Sequence, residues 1–189
     1  MRRMALSLLL LFLVVSVVAE EGLNQVTTNH LRVASISLTD QHGRQRMFGF
    51  PQPGVSVLTV ADQKGSEQIA GWVQPLRARF PESLPIEGVA DVSQAPRVLR
   101  PLLRKRFAAS LDHPVMLDWE GTIARQLDCQ PGVANIFLLS TNGAVLLAFC
   151  GTANDERLQK LQDVVLAANK SGTASTNAQA QSSIRGRDR

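Results

Sequence analysis

The chain has 189 residues, 44% of them apolar, with 20 Lys or Arg against 16 Asp or Glu, a formal charge of +4. Residues 1–19 hold two of those basic residues and no acidic one, so the rest carries only +2, which gives no basis for nucleic-acid binding. There is no internal repeat, and between the two ends lie roughly 140 residues, enough for one domain with a real core.

The first residues read as a targeting segment. Arg2 and Arg3 precede an apolar stretch from Met4 to Ala19, and the small residues Val17-Val18-Ala19 stand just before Glu20, as a signal-peptidase site requires. The stretch is short for a spanning helix, so export is expected, with an uncleaved membrane anchor as the alternative. No cysteine stands near the cleavage point, which argues against a lipoprotein anchor. The expected division is a signal segment over 1–19, a linker over 20–30, one domain over 31–169 and a tail over 170–189.

Leu31, Val33, Ile36 and Leu38 alternate loosely, and Asp40-Gln41-His42-Gly43 supplies turn chemistry, which predicts an N-terminal hairpin. After Pro51, Pro53 and Gly54, the run Val55 to Ala61 reads as a strand covered on both faces. Ser66 to Phe80 follows as a helix whose stripe is Ile69, Trp72, Val73, Leu76 and Phe80. Ser66 is its expected N-cap, Glu67 favours its first turn, and Pro75 would kink it. Trp72 belongs to the core on this reading.

Ile86 to Val92 reads as the next strand. Pro96 then opens a helix expected to bury Val98, Leu99, Leu102, Leu103 and Phe107. Its other face carries Arg97, Arg100, Arg104, Lys105 and Arg106, the densest basic cluster beyond residue 19, either a solvated face or a docking site for an acidic partner. Val115 to Leu117 is a short extended piece, and a helix is expected from Ile123 to Cys129. Ile136–Leu139 and Ala144–Phe149 form a hairpin through Ser140-Thr141-Asn142-Gly143. A last helix starts at Thr152–Asp155, with Leu158, Leu161, Val165 and Ala168 on its apolar side. The tail from Ser171, rich in Ser, Ala, Gln and Thr, is expected to be disordered, with Arg185, Arg187 and Arg189 in solvent. Strands alternating with helices imply parallel crossovers, and the Asn-Gly hairpin adds an antiparallel strand, so a mixed sheet between helices follows.

From Val33 to Ala168 the order resembles the thioredoxin-like redoxins. The resemblance rests on Leu38–Gly43, on Val115–Gly121 with Ile123–Leu127 behind it, and on Phe137–Val145 with its Asn-Gly turn. It implies a three-layer α/β/α sandwich with a mixed central sheet and an N-terminal β-hairpin. It also implies an active site at the turn before the Ser66 helix, where the family carries Cys-x-x-Cys. Here that turn reads Lys64-Gly65-Ser66-Glu67, and Ala134 falls where the family has its cis-proline. A non-proline cis peptide costs about 2.5–4 kcal/mol, so Val133–Ala134 is expected to be trans. Pro131 is the other candidate for that role. Neither an ammonium nor a carboxylate performs thiol–disulfide exchange.

The cysteines are Cys129 and Cys150, with 20 residues between them. With Asn142-Gly143 as the turn, Cys150 falls opposite Asn135, and the loop 130–134 must fold back for Cys129 to approach. A structural disulfide, two separate buried thiols and a redox-active pair all remain open; closing the loop would stabilise by roughly 3 kcal/mol. His30, His42 and His113 are scattered, so no metal site is expected, and with no phosphate-cradling Gly-rich loop no cofactor is expected either. The leading expectation is an exported thioredoxin-fold protein that binds an unidentified protein partner without catalysis. A thiol–disulfide oxidoreductase or antioxidant using Cys129 and Cys150, and a membrane-tethered adaptor, are the alternatives.

Overall fold

A computed structural model describes residues 31–185, with side chains described through residue 170. The expected signal segment, the linker and the last four residues lie outside the described residues. At the centre of the main sheet runs β3 (Ser56–Ala61), buried at every position, as its unbroken apolar run requires. β4 (Ile86–Asp91) pairs parallel to β3, and β5 (Met116–Asp118) pairs parallel to β4. On the other side β6 (Asn135–Leu139) runs antiparallel to β3, and β7 (Val145–Cys150) antiparallel to β6. The strand order is β5-β4-β3-β6-β7. Cys150 is registered opposite Asn135, as the Asn-Gly turn predicts, and Gly143 in that turn takes φ +83°.

Successive strand residues point to opposite faces, and the core divides accordingly. Val57, Ile136, Leu138 and Leu147 pack on one face against Trp72 and Leu76 of α1 (Ser66–Arg79) and Leu161 and Val165 of α4 (Asp155–Arg185). Trp72 is fully buried, stacks on Phe149 with ring centroids 5.4 Å apart, and donates its indole N–H to the Gly151 carbonyl at 2.8 Å. It is core, as expected. Burying each such large side chain contributes about 1.5–3 kcal/mol. On the opposite face Leu58, Val60, Val89, Phe137 and Leu139 meet the hairpin β1 (Ile36–Thr39) and β2 (Gln45–Phe48), and Ile123 of the short α3 (Thr122–Gln126). Three layers result.

The hairpin also covers the β5 edge. Asp40 is buried; its Oδ1 accepts the His42 and Arg44 amides, each at 2.9 Å, which closes the turn. Gln41 donates to the His113 carbonyl at 2.8 Å and accepts the Val115 amide at 2.9 Å, occupying polar groups that an exposed edge would leave open.

Three local expectations are corrected. Ser66 does not cap α1: Gly65 is the N-cap residue, and the Ser66 hydroxyl donates to the Gln63 carbonyl at 2.7 Å. α3 ends at Gln126, three residues before Cys129, because Asp128 takes the left-handed φ of +50°; its start is fixed by buried Asp118, whose carboxylate accepts the Thr122 and Ile123 amides at 3.0 and 2.7 Å. The helix after β4 is a 3-10 turn (Arg97–Leu99) followed by α2 (Arg100–Ser110), and it buries none of its residues. Val98, Leu99 and Leu102, expected inside, are 83%, 42% and 63% exposed. Arg100 and Arg104 turn inward, their guanidinium carbons 5.0 and 5.7 Å from the Trp119 ring centroid, and share the half-buried face with Leu103 and Phe107, so that face is mixed and not apolar throughout. α4 itself runs on to Arg185, past its last core contacts at Val165 and Ala168.

Candidate functional site

The turn from β3 into α1 meets the loop 130–134 that leads into β6. Asp62 joins them: Oδ1 accepts the Gly65 amide at 2.7 Å and Oδ2 the Gly132 amide at 2.6 Å. One turn along α1, Gln68 Oε1 accepts the Ala134 amide at 3.0 Å. Gly65 itself is pressed so closely on the Val133 carbonyl that a β-carbon there would overlap it. Only glycine fits.

Asn135, buried at the start of β6, holds the rest of the loop. Its Nδ2 donates to the carbonyls of Val60, Gln130 and Val133 at 3.3, 3.0 and 3.1 Å, and its Oδ1 accepts the Gln130 amide at 2.8 Å. Ala134 is fully buried, and its carbonyl accepts the Gly151 amide at 2.8 Å. Both backbone groups of Ala134 are thus used within the protein, which leaves no ladder there for an extended peptide. Val133–Ala134 is trans, as expected, and so is the bond before Pro131; the cis peptide among the described residues is Phe50–Pro51, beside the Asn142–Gly143 turn.

Lys64, Ser66 and Glu67 are exposed on this surface, while Gly65 and Ala134 lie beneath it. The cleft beside them, bounded by Asp62, Asp91, Cys129 and Gln130, holds about 40 Å³, room for a water rather than a substrate. A larger one of about 230 Å³ lies between Arg32–Ile36 and α3, lined by Ile123, Gln126 and Leu127.

Cys129 and Cys150 are free thiols in this structure, both half-buried. Burial pushes the Cys129 thiol up to about 12, with Cys150 and the carboxylates of Asp91, Asp128 and Asp118 adding to the effect. Burial also raises Cys150, against the opposing charge of Arg157. Neither thiol is activated. The S–H of Cys150 points at Asn135 Oδ1, 3.4 Å away.

The five cations expected to share a docking face are divided. Arg100 and Arg104 lie over Trp119, with Arg100 also 2.9 Å from Glu120, whereas Arg97, Lys105 and Arg106 are exposed beside Val98, Leu99 and Leu102. The polar residues that organise the site, Asp62, Gln68 and Asn135, escape a reading of the sequence. Asp62 three residues before Gly65 carries a weak turn signal; the others have partners 66 and 75 residues away and leave no local trace.

No family profile and no curated protein matches the chain. Solved structures do. A candidate thiol:disulfide interchange protein DsbE from Chlorobium tepidum superposes with a TM-score of 0.56 at 19% identity, covering 73% of this chain and 95% of that one. The pneumococcal exposed lipoprotein thioredoxin Etrx1 from Streptococcus pneumoniae gives 0.54 at 14%, covering 69% and 99%. Peroxidoxin BcpB from Mycobacterium tuberculosis gives 0.50 at 21%, covering 75% and 98%. At these identities what is shared is the architecture: the chain has the thioredoxin-like fold of the redoxins, on a sequence that contains no Cys-x-x-Cys.

Proposed function

We propose that this is an exported thioredoxin-fold protein that acts by binding a protein partner and not by thiol exchange. The observation that carries the reading is the turn itself. Lys64-Gly65-Ser66-Glu67 supplies no sulfur, and the loop facing it is bonded internally through Asp62, Gln68 and Asn135. A catalytic thiol needs exposure and a lowered pKa, and both cysteines here have the opposite. Export is supported by Arg2-Arg3 and the apolar run to Ala19, and by a structural neighbour described as an exposed lipoprotein. In an insulin-reduction assay with dithiothreitol the protein is expected to precipitate insulin no faster than dithiothreitol alone. Robust turnover abolished by Cys129→Ser would overturn the reading in favour of an oxidoreductase or antioxidant.

A second reading, a membrane-tethered adaptor, draws on α2, whose exposed Val98, Leu99 and Leu102 lie among Arg97, Lys105 and Arg106 with no acid from residue 92 to 111. That surface suits an acidic, apolar segment of a partner protein. The mass of the mature N-terminus decides between the two: loss of residues 1–19 supports export, and a retained segment supports the tether.

A further inference from the structure

We propose that Cys129 and Cys150 are an oxidation site: they close into an intramolecular disulfide that clamps the loop 130–134 onto the end of β7. Three observations place the two residues together. Asn135 Oδ1 accepts the amide of Gln130, the residue after Cys129, at 2.8 Å and the thiol of Cys150 at 3.4 Å, so one side-chain oxygen joins the Cys129–Gln130 peptide to the Cys150 sulfur. Asn135 and Cys150 are a registered pair, so their side chains share a face with Phe137 and Ala148 two residues along. Cys129 packs against the core cluster on that face, which includes Phe137 and Ala148. Cys129, which also shares a small cleft with Val60 and Asn135, and Cys150 therefore lie at one end of one face of the sheet.

The reaction is exchange with a disulfide donor, low-molecular-weight or protein. Cys150, the thiol opposed by Arg157, ionises and attacks one donor sulfur; a mixed disulfide forms and one donor thiolate leaves, taking up the proton Cys150 lost. Cys129 then ionises and attacks the Cys150 sulfur, and the second donor thiolate leaves with that proton. Two protein thiols are oxidised and the donor disulfide is reduced to two thiols. Asn135 Oδ1 loses the S–H donor but keeps the Gln130 amide, so oxidation orphans no buried polar group. The bond fixes the start of a loop whose Gly132 and Ala134 amides already reach across to Asp62 and Gln68. It therefore rigidifies the surface below Lys64 without any sulfur in the turn. This inference is independent of the partner-binding reading, and an inactive insulin assay leaves it unaffected.

The test uses the full chain equilibrated with excess oxidised glutathione under native conditions. Trypsin cuts after Arg125 and Arg157 and at no Lys or Arg between them, so one peptide, Gln126–Arg157, carries both cysteines. That peptide is expected two hydrogens lighter than in the reduced protein, and cleavage at Phe137 leaves the two halves joined. Hydrogen exchange at the Gly132 and Ala134 amides is expected to slow roughly fivefold or more in the oxidised protein. Free thiols or glutathione adducts at equilibrium, a disulfide between two chains, or an intramolecular bond with unchanged exchange at both amides would each overturn the proposal. All readouts come from the unmutated chain, so no folding defect of a cysteine variant can obscure them.

Discussion

Two regions of this protein turn polar side chains inward, with different outcomes. Where the β3–α1 turn meets the loop 130–134, Asp62 and Gln68 reach amides of that loop 70 and 66 residues further on, Asp62 also holds the turn itself, and Asn135 at the loop's end holds its carbonyls. Under α2, Arg100 and Arg104 lie over the Trp119 ring, and Nε of both arginines and Nε1 of Trp119 are buried without a partner among the described residues. The first region is held by directional bonds whose loss exposes unmet donors and acceptors. The second is held mainly by ring contact, with Arg100 alone adding bonds to Glu120 Oε1 at 2.9 Å and to the Trp119 carbonyl at 3.4 Å, and it leaves apolar residues outside. Directional bonding of this kind specifies one conformation, whereas cation–ring contact contributes only about 0.5–1 kcal/mol at a partly exposed site and tolerates reorientation.

The largest effect that can test this contrast is at Gly65. A side chain there must displace the Val133 carbonyl, which Asn135 also holds, so Gly65→Val is expected to cost about 3 kcal/mol in urea unfolding. A loss under about 0.5 kcal/mol would show that the loop yields easily and that the turn is not overdetermined. Next is Asn135→Ala, which strips partners from the carbonyls of Val60, Gln130 and Val133 and from the Gln130 amide. About 2–3 kcal/mol is expected, with faster hydrogen exchange at Gln130 as the local sign.

This contrast also divides what was legible in the sequence from what was not. The buried run at Val55–Ala61, the Asp40–Gly43 turn and the Asn142-Gly143 hairpin are written in neighbouring residues, and the register that sets Cys150 against Asn135 follows from the last of them. Counting along the chain also locates the turn at Lys64–Glu67. What a local pattern cannot report is which of two stripes on a helix faces inward. In α2 the half-buried face mixes Arg100 and Arg104 with Leu103 and Phe107, and the ring that the arginines meet, Trp119, is at least 15 residues away in sequence. Likewise, Ser66 has the chemistry of a cap, but its hydroxyl donates to the Gln63 carbonyl instead.

A smaller, pH-dependent effect separates the buried thiols from the surface. Cys129 is held above its unfolded value, so its un-ionised form stabilises the fold fully below about pH 9, and that contribution is lost as pH rises towards about 12. With no tyrosine in the chain, the alkaline range is less crowded than usual. The urea midpoint of the reduced protein is expected to fall from about pH 9 upward, and Cys129→Ala is expected to flatten that slope. An equally steep slope in the variant would assign the alkaline loss to other groups.

The smallest effect is expected on α2, and there smallness is the informative result. Leu102 is 63% exposed and belongs to a helix with no buried residue, so Leu102→Asp removes little from the core. The acid also finds Lys105 and Arg106 three and four residues ahead, a spacing that brings opposite charges together on a helix. Stability is therefore expected to change by less than about 0.5 kcal/mol. Trp119 emission should be unchanged as well, since Arg100 and Arg104 keep their places over the ring. A loss of about 2 kcal/mol would mean that Leu102 is buried in solution and that the helix turns its apolar stripe inward, as its periodicity alone implies. A neutral outcome instead leaves Val98, Leu99 and Leu102 as a surface that folding does not explain, which is the condition for assigning it to a partner.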